Sequence, residues 1–544
     1  MFLLERSILW LIAVGVLVGS GTLAGCSEAQ SPRSQASTPT AEALPLKASI
    51  ERPQYLLPDV ASFDAASIPP YNANHAAVYQ HIDENQDKHL SALQRWLRQP
   101  SISAQNVGVA EMAEMVRGDL AAIGFQETAL VETDGHPGVW GYFDAGADKT
   151  LMVYMMYDVQ PVNEADWRSP PFEAKLVEHE LGTALMARGA TNQKGPQRAF
   201  LNALESILAV EGTLPVNLMI TAEGEEELGS PNYPQIVDAY ADRLATAEGV
   251  IFPFNSQQAD GSVNMILGVK GIVYFEAEAQ GGAWGGPAEA EIHGSYKAIV
   301  DSPVWRLVKA LSTLVSEDGN TILVPGFYDG VRPPTDEEAS LLSGIAASRD
   351  DAAQRKLFKV ARWIDDIEGE DALKELTYSP TLNIDGIYAG YTGVGVKTIL
   401  PHKATAKMDS RLPYGLDPDE ALAKIRAHLD AQGYEDIKLT KLSGYPASQT
   451  SVSSPLARAA ISVFSKYGAT PKLSPRIAGS APFYQFTERL QLPMIPAGLG
   501  FGSGAHAPNE IMLVQPKENS GLAGLADIEK SYVDILYALA EASE

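Results

Sequence analysis

Apolar residues at Val78, Ile82, Leu90, Leu93 and Leu97 recur at close to helical spacing, which predicts a first ordered helix over residues 76–98. A second amphipathic helix is expected over 110–123, stopped by Gly124. Short β-type runs follow at 138–143 and 150–154, then a helix over about 197–210, a strand over 216–221 and another apolar run at 249–252. Strands alternating with helices in this way predict an α/β sheet with helices on both faces. From Gly271 the texture changes: residues 271–279 alternate like a half-exposed strand. Helices are expected at 303–315 and 418–432 and a strand at 405–412, giving a β-α-β-β-α-β-like insert with a helical excursion at 335–376. Beyond about residue 443 the α/β texture returns, and the chain shows no internal repeat.

The first residues carry a different pattern. Glu5 and Arg6 precede an apolar run over 8–18, too short to span a bilayer comfortably and placed where a signal peptide's hydrophobic region belongs. The Leu23-Ala24-Gly25-Cys26 stretch that follows resembles a bacterial lipobox, which implies cleavage after residue 25 and a lipid-modified Cys26. The expected location is the bacterial cell envelope, and Ser27 favours an outer membrane facing the periplasm. Cys26 is the only cysteine, so the mature chain forms no internal disulfide. Residues 26–75 are rich in Ser, Pro, Ala, Gln and Thr and read as a flexible tether.

Length and composition then set limits. At 544 residues, 45% hydrophobic and 20% charged, the chain is expected to fold into two or more domains. The formal net charge of -27 repels phosphate backbones, so nucleic acid is not an expected partner, and it identifies no substrate.

Four segments carry chemistry: Met156-Tyr157-Asp158-Val159-Gln160-Pro161, Thr191-Asn192-Gln193-Lys194-Gly195, Glu225-Glu226-Glu227-Leu228-Gly229, and Gly504-Ala505-His506-Ala507-Pro508-Asn509-Glu510. Each follows a β-type run, and active sites of open α/β sheets gather at the carboxyl ends of strands. In this order, and with Glu291-Ile292-His293-Gly294, Asp409-Ser410-Arg411-Leu412 and Gly479-Ser480-Ala481-Pro482, the segments resemble the zinc peptidase and amidohydrolase family of carnosinase, carboxypeptidase G and succinyl-diaminopimelate desuccinylase. The resemblance runs from about residue 76 to the end. It implies an α/β catalytic domain, a mixed sheet flanked by helices, over 76–271 and 444–544. A smaller α+β lid over 272–443 would interrupt it and form a homodimer interface.

The same resemblance implies two zinc ions bridged by one aspartate, and here the ligand set thins unevenly. Met156 stands where the histidine of a His-x-Asp motif belongs, although Asp158 remains beside it. Asn192 replaces the bridging aspartate, and Phe254, next to Asn255, falls where a later carboxylate belongs. A thioether and a phenyl ring are no substitute for borderline or hard ligands, so that ion's place is expected to be empty. For the other ion Glu227 and His506 match ligands, Asn192 offers a weak third, and Glu226 matches the general base that activates water. His293 matches an oxyanion-stabilising lid histidine, Arg411 a carboxylate-gripping arginine, and Gly479 and Ser480 a loop beside the substrate.

Three functions follow as alternatives. The first is a membrane-anchored hydrolase of peptide-type bonds with at most one zinc ion, acting on small peptides or N-acyl amino acids with a free carboxylate. The second is an inactive pseudopeptidase that binds or scaffolds. The third is metal-free acid–base chemistry through Glu226 and His293. Taken alone, the Glu225–Glu227 run is most simply a solvated acidic helix start, Met156 core filling, and Arg411 a partner of Asp409.

Overall fold

A computed structural model describes residues 50–542. Cys26 and the preceding apolar run lie outside the described residues. The catalytic body is built on a six-stranded mixed sheet in the order Glu127–Val131, Gly138–Phe143, Asn217–Glu223, Thr150–Met156, Val250–Pro253, Met494–Ala497. The second strand runs antiparallel to both of its neighbours, while the last four run parallel to one another. Every residue of Asn217–Glu223 and of Val250–Pro253 is buried, as a strand covered on both faces requires. Parallel direction puts the ends of Thr150–Met156, Asn217–Glu223 and Val250–Pro253 at one edge, with Met156 opposite Glu223.

The helix predicted over 76–98 breaks at Asn85 into Ala76–Glu84 and Gln86–Arg98. The helix after Gln193 spans Lys194–Glu211, three residues earlier than its apolar pattern suggests, because Lys194, Gly195 and Pro196 are themselves buried. A second sheet pairs Gly182–Met186 with Ile511–Pro516, setting Met186 opposite Ile511. The loops holding Asn192 and His506 therefore leave neighbouring strand ends.

The lid has the expected β-α-β-β-α-β order. Its antiparallel sheet runs Asn383–Ala389, Lys403–Leu412, Gly271–Gln280, Lys438–Tyr445, with helices Pro303–Ser312 and Pro418–Ala431. Val273, Phe275, Ala277 and Ala279 point to one core with Leu307, Ile425 and Leu429, while Tyr274, Glu276 and Glu278 are half-exposed. Along the chain its first strand begins at Gly271 and its last ends at Tyr445, just beyond the expected limits of 272 and 443.

One expectation is corrected. Residues 50–75 are not a free tether: Tyr55 packs in a cluster with Leu342 and Tyr378, and Ala65 and Ile68 enter the main core. Backbone bonds from Phe63 N to Ser340 O (3.1 Å) and from Tyr71 N to Ser462 O (3.0 Å) fasten this strap. Scattered apolar residues between prolines give no periodicity, yet each finds a separate buried socket. The excursion forms the helices Asp336–Ala346, Asp351–Phe358 and Gly369–Tyr378. The first is locked to the body by Glu338, whose buried carboxylate accepts from Arg476 (2.8 Å) and Arg332 (2.6 Å).

Candidate active site

Asp158, directly beyond the Thr150–Met156 strand, organises the acidic loop. Its carboxylate accepts the Ser103 hydroxyl at 2.8 Å and the backbone N–H groups of Glu226 (3.2 Å) and Glu227 (3.1 Å). These bonds cap the Glu226–Leu228 turn, where unpaired N–H groups favour an anion. Burial, then the charge of Glu227, outweigh them and push the Asp158 carboxyl up to about 7. Beneath lies Glu223, fully enclosed, accepting from Tyr154 Oη (2.6 Å) and Ser230 Oγ (2.8 Å) on Oε1. Its Oε2 has no partner, and burial raises it to about 8.

Glu226 and Glu227 share one turn but face different surroundings. Glu227 Oε1 accepts Asn192 Nδ2 at 2.7 Å, and Oε2 accepts Gln160 Nε2 at 2.8 Å with His506 Nε2 at 3.2 Å. That bond to Glu227 raises the His506 imidazole above its ordinary range. The side chain of Glu226, half-buried, makes no hydrogen bond among the described residues. Burial and the charges of Glu227, Asp158 and Glu223 hold its carboxyl well above the usual carboxylate range.

The Asn192 loop is shaped by a residue that motif reading passed over. Glu510 is completely buried and accepts Gly189 N (3.0 Å), Thr191 N (2.9 Å) and Asn192 N (2.9 Å), besides Arg188 Nη1 at 2.8 Å. Gln160 was likewise missed as a partner of Glu227. Both stand inside the quoted segments, but nothing in the sequence shows that strand pairing aims them inward.

Arg411 closes the cleft on the lid side. Its Nε lies 3.3 Å from Asp409 Oδ1 and its Nη1 donates to Ser480 Oγ at 2.9 Å, while Ser480 Oγ donates to Gly271 O at 3.1 Å. The Lys270 backbone N–H donates to Gly479 O at 2.9 Å, so the Gly479–Ser480 loop is bound to the root of the lid. Tyr445 is buried and stacked on Tyr484 at 5.7 Å, and burial, then the charge of Glu226, push its hydroxyl well above the usual phenol range. His293 is not brought to this centre within one chain. It lies on the lid, capping its own turn through Ser295.

The residues at hand do not fit a two-ion centre. Met156 packs into an apolar cluster with Tyr233 and Phe252, and Phe254 packs against that cluster. The neighbouring Asn255 spends its Nδ2 on Thr191 Oγ1 at 3.0 Å. Hydrocarbon and thioether supply no ligand there, and Asn255 offers only one neutral, unpartnered amide oxygen, Oδ1, in place of a carboxylate. In the other place Glu227, His506 and Asn192 converge as one carboxylate, one imidazole and one neutral amide. A single ion there would need Asn192 to turn its Oδ1 inward and Gln160 to release Glu227. Among the described residues no group of three or more His, Cys, Asp or Glu is arranged to hold a metal.

Fold and site together define a metallopeptidase-type cleft between a catalytic body and a lid. Peptidase family M20/M25/M40 matches residues 152–516, and the chain belongs to that family. It is 30% identical over 359 residues to the Cys-Gly metallodipeptidase DUG1 of Candida albicans, covering 61% of this chain and 70% of that one. It is 27% identical over 383 residues to the Beta-Ala-His dipeptidase of Rattus norvegicus, covering 67% and 75%. Among solved structures it superposes on the M20 family metallo-carboxypeptidase Sso-CP2 from Sulfolobus solfataricus with a TM-score of 0.74 at 32% identity, covering 83% of this chain and 99% of that one.

Proposed function

We propose that this protein is a hydrolase of peptide-type amide bonds, of the dipeptidase, carboxypeptidase or N-acyl amino acid amidohydrolase type, working with at most one metal ion. The observation that carries this reading is the pairing on one turn of Glu227, which meets His506 at 3.2 Å, with a Glu226 carboxyl that no neighbour engages. A metal bound there by Glu227, His506 and Asn192 would supply an activated water. The residues themselves do the rest: Glu226 takes and returns the proton, Arg411 grips the substrate carboxylate, and Ser480 holds Arg411 in place.

The lid offers a dimer surface. Ile384, Ile387 and Tyr388 on the outer strand are exposed, as are Val394 and Val396 beside it. In a homodimer His293 would stabilise the oxyanion in the centre of a second copy. Cleavage before Cys26 would tie the protein to the membrane by lipid alone, and Cys26→Ala should move it to the soluble fraction.

A second reading, an inactive pseudopeptidase that binds the same ligands, is favoured by one observation. The Asn192 and Gln160 amides already give Glu227 the positive hydrogen-bond partners that a cation would otherwise provide. Metal content and hydrolysis of a panel of dipeptides and N-acyl amino acids separate the two. Turnover that disappears in Glu226→Gln supports the hydrolase. Ligand binding without turnover, at any metal loading, establishes the pseudopeptidase. Turnover that survives chelators would overturn the metal's role and point to Glu226 with His293.

A further inference from the structure

Behind Arg411 the structure opens into a cavity of about 700 Å³, within the range of small-molecule sites. Ile367, Leu376 and Trp363 of the helical excursion line it together with Leu382 and Arg52 of the strap, and the carboxylates Glu375, Asp385 and Asp409 also face it. The lining cations are neutralised unequally. Arg52 is paired with Asp365 and Arg349 with Asp351. Lys270 has no carboxylate partner among the described residues: it is buried to 1% exposure, and its Nζ donates to the backbone carbonyl of Ser379 at 2.6 Å. Burial, the charge of Arg476 and, less strongly, that of Arg411 act against its ammonium, and the Glu375 carboxylate offsets them only in part. An enclosed ammonium with only a neutral partner is costly, and an incoming anion relieves it.

We infer that this cavity is a binding site for a carboxylate ligand carrying a bulky apolar group, with Lys270 joining Arg411 at the carboxylate and the apolar group lying against Ile367 and Leu376. The inference rests on the reading of Arg411 as the substrate's carboxylate grip, and it assigns the substrate class: peptides or N-acyl amino acids ending in a large apolar residue. Burying an isobutyl or indole group against this wall favours it over glycine, at roughly 25 cal/mol for each Å² of apolar surface removed from water. Residues 351–376 supply Phe358, Trp363, Ile364, Ile367 and Leu376 to the lining, so the preference comes from the excursion and not from the acidic turn.

The test is calorimetric titration of the full chain with N-acetylglycine, N-acetyl-L-leucine and N-acetyl-L-tryptophan. The leucine and tryptophan compounds should bind at least about tenfold more tightly than the glycine compound. Lys270→Met should weaken all three about tenfold or more, and Leu376→Trp should bring the tryptophan-to-glycine ratio close to one. Thermal melts establish that each variant is folded. Lys270→Gln is the fallback where methionine does not fold, with the same weakening expected. Equal affinity for all three compounds, or a ratio untouched by Leu376→Trp, overturns the cavity while leaving the carboxylate grip intact. Binding of the three that is unchanged in Arg411→Ala overturns the grip itself, and the inference with it.

Discussion

Asn192 and Glu227 face each other across the cleft as donor and acceptor, the amide Nδ2 standing 2.7 Å from Oε1. An aspartate at 192 would instead set two carboxylates against each other, an arrangement that only a cation or a shared proton makes tolerable. Restoring Asn192→Asp with Met156→His and Phe254→Asp should therefore raise zinc affinity at least tenfold over the unaltered chain. Equilibrium dialysis against a zinc chelator measures it, and an unchanged affinity would show that Phe254 is not the missing carboxylate's position.

Glu226→Gln keeps the shape of the turn and removes the proton acceptor. Hydrolysis should fall at least about a hundredfold, within the usual worth of general base catalysis. The melting temperature should stay level or rise, because a buried carboxyl flanked by Glu227, Asp158 and Glu223 is relieved of its charge. A fall in activity matched by a fall in stability would mean the side chain is structural.

Glu223 gives a pH-dependent signature. Its folded value of about 8 lies above the ordinary carboxyl range near 4.3, so the folded state holds this proton more tightly than the unfolded chain. The stabilisation is complete below about pH 4 and is lost as pH rises to about 8. Glu223→Gln, which keeps an oxygen for Tyr154 and Ser230, lacks this loss. Its melting temperature relative to the unaltered chain should climb between pH 4.5 and 8, and a flat difference across that range would refute the assignment.

Arg411 should act on the substrate's free carboxylate and on nothing else. Arg411→Ala should raise KM for a dipeptide at least tenfold and leave the amidated dipeptide, already a poor substrate, almost unaffected. Equal losses on both would place Arg411 in the fold and not in recognition.

The clasp between excursion and body should be worth far more than a surface ion pair. Glu338 and Arg476 are both almost fully enclosed, at 2% and 3% exposure. Arg476→Met leaves Glu338 with one bond fewer and should cost about 3–5 kcal/mol, with partial recovery in Arg476→Met/Glu338→Leu. Denaturant unfolding reads both values.

Legibility in the sequence followed periodicity. The fully buried strands and the alternating 271–279 strand carry their burial pattern on their face, and the two-domain arrangement followed from them. The strap did not, because Tyr55, Ala65 and Ile68 each fill an isolated socket and leave no repeat. Asp158, Glu226, Glu227 and His506 stood out because segment order marks strand ends. Gln160 and Glu510 were invisible for the opposite reason: what they do depends on which way a loop turns. His293 was expected on the lid from the family resemblance, and there a short strand pairs it with Ile399.

Glu510 also explains how such a site can change and survive. Three backbone amides and one guanidinium fix the 188–192 loop on a carboxylate that sits beneath the cleft, so the loop keeps these four bonds whatever side chain residue 192 presents above. The scaffold and its chemistry are thereby uncoupled. Side chains on the upper face can thus be exchanged without removing the bonds that hold the loop from below.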